Sequence, residues 1–275
     1  MKISIVGLGW FGLELAKELS ATHAVLGSKS AAESIFEGKY KGIEAHYLNW
    51  DDADSFENLE TLLDADALVL NIPPSRKRED VVKWYGENMY VMEQGILKSP
   101  LKKVIFISST GVFGNREVVD EDTIPEPNTP SGTALFETEL RLLNNPKFKT
   151  SVIRPGGLVG GDRQPARYLA GRQGIKGKNH PVNLVHRSDL IAITEKVIES
   201  SYTRRIFHAV APEHPAKSDF YTVAAQKLGL EFPAFHPGDI SDGKLVESEK
   251  TIEALRISME YSNPYQMIDG LRTKN

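Results

Sequence analysis

The chain has 275 residues, 40% of them hydrophobic and 25% charged, with a formal net charge of −4 at pH 7 and no cysteine. This length and composition exclude a disordered chain, and the acidic balance argues against nucleic acid or an anionic membrane as the main partner, so we expect a small-molecule ligand. The missing cysteines exclude disulfides, cysteine-ligated metal and thiol catalysis, and with no signal peptide and no run of about 18 apolar residues they predict a cytoplasmic protein without a metal site.

Six β-rich apolar runs alternate with helical patterns along the first part of the chain. They read KISIVGLG, HAVLGSK, EAHYLNW, ALVLNIPP, KKVIFISST and KTSVIRPGG. This alternation predicts βαβ units, and therefore an α/β fold with a parallel sheet and helices on both of its faces. The first crossover helix is predicted over WFGLELAKELS, because Phe11, Leu15 and Leu19 recur at helical spacing.

The pattern loosens after Gly157. A Gly- and basic-rich segment comes first, then a helical pattern at RSDLIAITEKVIES, a strand pattern at RIFHAV, and mixed helices and loops. No repeat and no Gly/Ser linker divides the chain, so a second lobe must be interleaved with the first. We expect a first domain over 1–157 and a smaller lobe over 158–275, with elements at about 183–211 that return to the first domain.

Gly7, Gly9 and Gly12 form a G-x-G-x-x-G pattern between the first strand and the first helix. In such a loop the first glycine permits the tight turn, the second lets a pyrophosphate approach the backbone, and the third lets helix and strand pack closely. The helix amino end then offers amides and a favourable dipole to the phosphates. The alternative is a chance set of turn glycines. The pattern predicts a dinucleotide held by Gly7, Leu8, Gly9, Trp10, Phe11 and Gly12.

The end of the second strand is expected to select between NAD and NADP. An acidic residue there would bind the ribose 2′-hydroxyl and repel a 2′-phosphate. The sequence instead has Ser28, Lys29 and Ser30, two hydroxyls and an ammonium, which suit an anion. We therefore predict NADP as the cofactor, with NAD as the second choice; an exposed polar turn without a ligand is the alternative.

Further cofactor contacts are expected where the third and fourth strands end, because ligands of open α/β sheets lie beyond the carboxyl ends of the strands. The two prolines at the fourth strand would form stiff walls for the adenosine half, although each could equally be a turn former. The residues concerned are Asn49, Asn71, Pro73 and Pro74.

Four later segments resemble the extended short-chain dehydrogenases/reductases, the NAD-dependent epimerase/dehydratase family. In order they are VIFISSTGVFG, VVDEDTIPEPNTPSGTALFETEL, SVIRPGGLVGGDR and PVNLVHRSDLI, and the resemblance covers nearly the whole chain. It implies a Rossmann-type doubly wound parallel sheet with an interleaved smaller C-terminal substrate lobe, a nicotinamide cofactor, and hydride chemistry at a carbon that bears oxygen. It also implies cofactor contacts from Ser108, Pro155 and Gly156.

The family's proton-transfer residues are the feature in which this chain departs from the resemblance. In the family a serine or threonine works with a tyrosine and a lysine in P-Y-G-x-S-K-x-x-x-E, where the cation stabilises a phenolate whose ordinary pKa is about 10. The resemblance places Ser109 at the serine position, with Thr110 beside it as a fallback. The motif aligns on residues 130–139, which puts Ser131 at the tyrosine position and Leu135 at the lysine position. The usual relay is therefore expected to be absent, as in the atypical subgroup of the family.

The later motifs offer other candidates. His186 in NLVHRSDL resembles the histidine of N-x-I-H-V-D-D at the family's substrate cleft, where it could exchange a proton near neutral pH or be structural. Arg154 is expected to be buried and paired, and Asp189 to cap or anchor its helix. Tyr168 is the one tyrosine expected to be able to reach the cleft as a replacement acid.

A local basic excess lies between Gly161 and His180, against the single acid Asp162. It suggests an anionic small-molecule substrate, such as a phosphate, a carboxylate or a sugar nucleotide, or else a solvated loop. The residues are Arg163, Arg167, Arg172, Lys176 and Lys178.

Two functions from different classes remain open. The first is an NAD(P)-dependent oxidoreductase or epimerase-like enzyme in which Ser109, Thr110, His186 or water replaces the tyrosine. The second is a non-catalytic NADP(H)-binding sensor or scaffold, favoured by an apolar residue at the lysine position.

Overall fold

The structure is a computed structural model that describes residues 1–75, 77–114, 117–238 and 243–269. Its strands are β1 (Lys2–Val6), β2 (Ala24–Lys29), β3 (Lys39–Tyr40), β4 (Ile43–Tyr47), β5 (Ala67–Leu70), β6 (Lys103–Ile107), β7 (Val118–Val119), β8 (Lys149–Pro155), β9 (Gly157–Val159), β10 (Leu184–His186), β11 (Ile206–Ala209) and β12 (Leu245–Val246). Its helices are α1 (Gly12–Leu19), α2 (Leu59–Leu63), α3 (Val81–Lys98), α4 (Pro130–Asn144), α5 (Arg187–Glu199), α6 (Lys217–Lys227), α7 (Glu249–Leu255) and α8 (Pro264–Asp269).

Eight strands form the central sheet, in the order β11-β8-β6-β5-β1-β2-β4-β3. Pairing is parallel from β8 through to β4, and β3 pairs antiparallel with β4. The chain runs outward from β1 to β2 and β4 on one side, and then from β5 to β6 and β8 on the other. This is the doubly wound α/β fold predicted from the sequence, with its topological switch point between β1 and β5.

The central strands explain why the apolar runs could be identified from the sequence. Every residue of β5 is buried, and β1 and β6 are buried at four consecutive positions. Consecutive burial requires cover on both faces of a sheet, which is the environment that selects continuous apolar runs. In α1 the side chains of Leu15 and Leu19 are buried, which agrees with the predicted amphipathic helix.

The chain divides into two compact units. The first contains Met1–Val112, Pro127–Ile153 and Thr194–Ile206, and the second contains Phe113–Glu126, Arg154–Ile193 and the chain from Phe207 onward. The excursion over 113–126 belongs to the second unit, whereas the expected first domain over 1–157 includes it, and Thr194–Ile206, within the elements at about 183–211 that were expected to return, lies in the first unit. The physical reason is that β7, within this excursion, pairs in parallel with β12 near the end of the chain.

The second unit has its own apolar core. Beside the β7–β12 pair it contains a parallel pair of β9 and β10. The buried side chains of its core are Val159, Ala166, Val182, Leu184, Ala211, Phe220, Ala224, Met267 and Ile268. Within the described ranges, no helix is long and apolar enough to cross a membrane.

Candidate functional site

The glycine loop between β1 and α1 is closely packed at its first and third glycines. Gly7 has a φ of +111°, and a Cβ added to it would lie 2.5 Å from the Asn71 carbonyl oxygen. A Cβ on Gly12 would lie 2.2 Å from the Gly7 carbonyl oxygen. Both positions therefore require glycine, the first for backbone conformation as well as space and the third for the approach of α1 to the loop.

The middle glycine has the opposite environment. No atom of the described residues lies within 4 Å of a Cβ built on Gly9, so this glycine borders open space. The Leu13 amide donates to the Gly9 carbonyl at 3.0 Å, and the amino end of α1 therefore follows the loop directly. An open face over backbone amides at a helix amino end fits a pyrophosphate. The side chains of Leu8 and Phe11 are buried, so these two residues can offer a ligand only their backbone.

Ser28 and Asn71 hold the loop from the two neighbouring strands. The Ser28 hydroxyl accepts a hydrogen bond from the Gly7 amide at 3.1 Å, and its side chain is only 1% exposed. The Asn71 side-chain amide donates to the Gly7 carbonyl at 3.1 Å. The contacts that both side chains make are thus with the loop itself, and their predicted contacts with a cofactor stay predictions.

A basic corner lies at the end of β2. The Lys29 ammonium lies 4.7 Å from the centre of the Tyr40 ring, and the Lys41 ammonium lies 5.7 Å from it. Lys29 is half-buried and Ser30 is exposed. Because cations stack on an aromatic face without losing their charge, this corner offers an anion two ammonium groups.

The turns after β4 and β5 contain the other predicted cofactor contacts. The Asn49 side-chain oxygen accepts a hydrogen bond from the Asp51 amide at 3.1 Å, and this bond stabilises the turn that contains both residues. Pro73 is exposed and Pro74 is half-buried. The Tyr85 hydroxyl, buried in α3, donates to the Ile72 carbonyl at 2.7 Å and so holds the residue that precedes the two prolines.

Three hydroxyls follow β6, and they have different environments. The Ser108 hydroxyl donates to the buried carboxylate of Glu139 at 2.5 Å. The Thr110 side chain is buried. Ser109 is partly exposed, and its hydroxyl accepts the amide of Gly111 at 3.0 Å. Of the three, Ser109 is the hydroxyl best placed to meet a ligand.

Helix α4 begins against the turn that contains Ser109. Thr129 caps its first turn by accepting the Gly132 amide at 3.1 Å. A Cβ on Gly132 would lie 2.5 Å from the Gly111 carbonyl, so a glycine is required for this approach. Ser131 is half-buried in the first turn of α4, while Leu135 is 5% exposed and belongs to the core.

Pro155 and Gly156, for which the resemblance implies cofactor contacts, lie in the second unit. Pro155 is buried, and the Gly156 amide donates to the Ala209 carbonyl at 3.0 Å. A Cβ on Gly156 would lie 2.7 Å from the Asn183 carbonyl. The close backbone approach explains the glycine, and the predicted contacts themselves stay predictions.

His186 lies in the second unit, at the end of β10. Its Nδ1 is 2.8 Å from the Ser188 hydroxyl, and its ring centre is 3.9 Å from that of Tyr261. The Nε2 atom is buried and has no hydrogen-bond partner among the described residues. Burial lowers the pKa of His186, which favours the neutral ring. Asp189, expected to cap or anchor its helix, accepts the amides of Glu260 and Tyr261 at 2.7 and 3.1 Å.

Two polar side chains of the second unit, the buried His208 and the half-buried Lys244, were not identified from the sequence. The His208 Nδ1 bonds the Glu247 carbonyl at 2.8 Å, and burial lowers its pKa to about 4. The Lys244 ammonium donates to the Phe113 carbonyl at 2.7 Å, and burial lowers its pKa. Arg154 is buried as predicted, with its guanidinium 5.0 Å from the Phe113 ring. No sequence motif surrounds His208 or Lys244, so only tertiary packing singles them out.

The basic segment predicted to attract an anion lies on the surface of the second unit. Four of its cations are exposed and Lys178 is half-buried. The Arg167 Nε donates to the Gln164 side chain at 2.9 Å. Tyr168 is 65% exposed. In the described parts of the chain, no group of three or more His, Cys, Asp or Glu residues could hold a metal ion.

No protein-family model matches the chain. Protein YeeZ of Escherichia coli K12 is 35% identical over 272 residues, which cover 97% of this chain and 98% of YeeZ.

Among solved structures, a putative NAD-dependent epimerase/dehydratase from Methylobacillus flagellatus is 24% identical with a TM-score of 0.77, covering 98% of this chain and 97% of that one. The Bordetella bronchiseptica enzyme WbmG, in complex with NAD and UDP, is 15% identical with a TM-score of 0.80, covering 98% and 91%. The chain therefore belongs to the same family as YeeZ, and it has the fold of the epimerase/dehydratase and short-chain dehydrogenase/reductase proteins.

Proposed function

We propose that this protein binds a nicotinamide dinucleotide at the glycine loop of its first unit and acts as an NAD(P)-dependent oxidoreductase or epimerase-like protein. The observation that carries the proposal is the contrast within the loop. Gly7 and Gly12 are packed against backbone, whereas Gly9 borders open space, as the approach of a pyrophosphate requires. Proteins of the same fold have been solved with NAD bound, which supports the same ligand class here.

NADP is the preferred form of the cofactor in this proposal. A carboxylate at the end of β2 would favour NAD, and the sequence has none there. Lys29 and Lys41 flank Tyr40 at this corner instead. Two ammonium groups favour a 2′-phosphate over a neutral 2′-hydroxyl, because a charged acceptor strengthens each hydrogen bond.

The chain's own residues would then orient a substrate and move a proton. When bound, the nicotinamide supplies or accepts a hydride. The Ser109 hydroxyl is the group that would orient a substrate oxygen, because it is the partly exposed hydroxyl after β6. With Ser131 and Leu135 at the usual tyrosine and lysine positions, proton exchange would fall to Ser109, Thr110, His186 or water. The exposed basic segment of the second unit favours an anionic substrate, and the solved WbmG complex that contains UDP is consistent with this class.

A non-catalytic NADP(H)-binding protein is the second candidate. The observation that favours it is Leu135, which is buried in the core where an enzyme of this type would keep a cation beside the nicotinamide ribose. A missing general acid is worth roughly 10²–10⁴-fold in rate and would not abolish turnover by itself. Activity and binding therefore require separate measurements.

The experiment is a fluorescence titration of the purified protein with NADPH and with NADH. One of the three tryptophans, Trp10, lies in the glycine loop, so energy transfer to the reduced nicotinamide reports binding. We expect both to bind and NADPH to bind more tightly. Tighter NADH binding would reject the NADP assignment, and no binding of either would reject the cofactor site. Turnover is then followed as NADPH loss with sugar nucleotides, and its absence in a protein that binds NADPH would favour the sensor.

A further inference from the structure

An ion pair joins the turn after β4 to the segment that leads from β5 to α3. The Arg78 Nη1 donates to the Asp51 carboxylate at 2.9 Å, and the Trp84 indole donates to the same oxygen at 2.9 Å. The Arg78 guanidinium also lies 4.6 Å from the centre of the Trp84 ring. We call Asp51, Arg78 and Trp84 the clasp.

Two further contacts support the clasp. The Arg78 Nε donates to Asp80 at 3.0 Å. This hydrogen bond raises the pKa of Arg78 and lowers that of Asp80, so both stay charged over the physiological range. On the inner side the Trp84 ring lies 5.5 Å from the buried ring of Trp50. The clasp is therefore anchored to the core through an aromatic contact.

Two members of the clasp, Asp51 and Arg78, follow the carboxyl ends of strands, where the adenosine half of a dinucleotide is expected. Asp51 follows the carboxyl end of β4, and the segment with Arg78 follows the carboxyl end of β5. Ligands of open α/β sheets lie beyond these ends, and the adenosine ribose is read at the end of the second strand. Since β4 is the neighbour of β2, the adenosine half would lie on the side of the sheet that carries the clasp.

We propose that the clasp retains the adenosine half of the bound cofactor, with Asp51 and Arg78 acting as positioning residues that slow cofactor release. The inference rests on the proposed cofactor site. The ion pair between Arg78 and Asp51 adds little to the stability of the fold, because the two side chains are 33% and 57% exposed and exposed ion pairs contribute weakly. Breaking the ion pair therefore requires little free energy, and a retained ligand would leave when the pair breaks.

The test measures the release of NADPH and NADH by stopped-flow displacement from wild type, Asp51→Asn and Arg78→Met. Asp51→Asn keeps an acceptor for Trp84 and removes the charge. We expect release of both dinucleotides to become about tenfold faster, with association little changed, because changes of this kind act mainly on dissociation. The double variant should release no faster than the single variants, because each already breaks the same pair.

Asp64→Asn is the matched control. Asp64 forms an ion pair of 2.7 Å with Lys2 at the amino end of β1, whereas the clasp follows the carboxyl ends of the strands. This variant should release both dinucleotides at the wild-type rate. Thermal unfolding of each protein separates loss of the clasp from loss of the fold, and Arg78→Gln, which also removes the charge, replaces Arg78→Met if the latter unfolds.

Several results would overturn the inference. Release from Asp51→Asn that matches Asp64→Asn would show that the clasp does not retain the ligand. If Arg78 only paired with a 2′-phosphate, Asp51→Asn would free it from a competing carboxylate and slow NADPH release while leaving NADH unchanged. Failure of wild type to bind either dinucleotide would instead reject the proposed function, and the inference with it.

Discussion

Substitution of Gly9 by alanine separates the binding role of the glycine loop from its packing role. A Cβ at this position meets no atom of the described residues within 4 Å. The protein should therefore accept the methyl group, and its free energy of unfolding should stay within about 1 kcal/mol of wild type, since alanine also restricts the unfolded chain. The same methyl group would occupy the space through which a pyrophosphate reaches the loop amides.

The expected loss of affinity follows from the hydrogen bonds that such a displacement breaks. Charge-assisted hydrogen bonds contribute about 1.5–3 kcal/mol each. Losing one to two of them costs about 3 kcal/mol, which weakens NADPH binding by roughly 100-fold. Gly12→Ala is the matched comparison, because its Cβ would lie 2.2 Å from the Gly7 carbonyl and 2.9 Å from the Asn71 side-chain nitrogen. Overpacking of this kind lowers stability by about 1–3 kcal/mol or more.

Both variants are measured by urea denaturation and by NADPH titration. Gly9→Ala should have the wild-type free energy of unfolding and bind NADPH weakly. Gly12→Ala should have a lower free energy of unfolding than wild type. If Gly9→Ala bound NADPH with wild-type affinity, the open space at this glycine would not be the site of a pyrophosphate, and the cofactor assignment would fail. If Gly9→Ala were as unstable as Gly12→Ala, the geometric contrast within the loop would be wrong.

Three further substitutions test other parts of the protein. Lys29→Met should weaken NADPH binding about tenfold and leave NADH binding unchanged in the same titration, since it removes one charge-assisted contact to the 2′-phosphate. Leu135→Lys should lower the free energy of unfolding by about 3 kcal/mol in urea, because it places a cation in an apolar site. The pKa of His208 falls from an ordinary 6.5 to about 4, so below pH 6.5 the unfolded chain takes up a proton that the folded protein does not. Stability should therefore fall by about 3 kcal/mol as the pH is lowered from about 6.5 to 4. His208→Asn should flatten this dependence of stability on pH. The difference between variant and wild type then isolates the contribution of His208 from that of Glu121, whose raised pKa acts in the opposite direction.

The sheet could be predicted wherever burial leaves a long apolar signature. KISIVG, ALVL and KVIFI are buried at nearly every position, so they read as strands covered on both faces. The strands that the sequence did not predict are β3, β7, β9, β10 and β12, each of two or three residues. Such short strands show no periodicity, and their existence depends on partners distant in the sequence.

The candidate site shows the same division between local and tertiary information. The glycine loop could be predicted because its constraint is local, a turn between one strand and the next helix. The direction of the Ser28 hydroxyl, toward the Gly7 amide, could not, because it depends on how β2 pairs with β1. Asp51 and Arg78 are 27 residues apart, and no pattern in the sequence links a turn after one strand to the segment after another.

The turn that contains Ser109 is kept in place by a constraint that does not involve proton transfer. Gly132 approaches the Gly111 carbonyl so closely that a Cβ would lie 2.5 Å from it, and the Thr129 cap fixes the first turn of α4 at that contact. Leu135, one turn further along the helix, is held by the core. The packing of α4 against this turn is thus independent of a tyrosine or a lysine at positions 131 and 135. The packing that positions the Ser109 turn can therefore stand without a phenol or an ammonium at these positions, and this is why we expect NADPH titration and turnover assays to give independent answers.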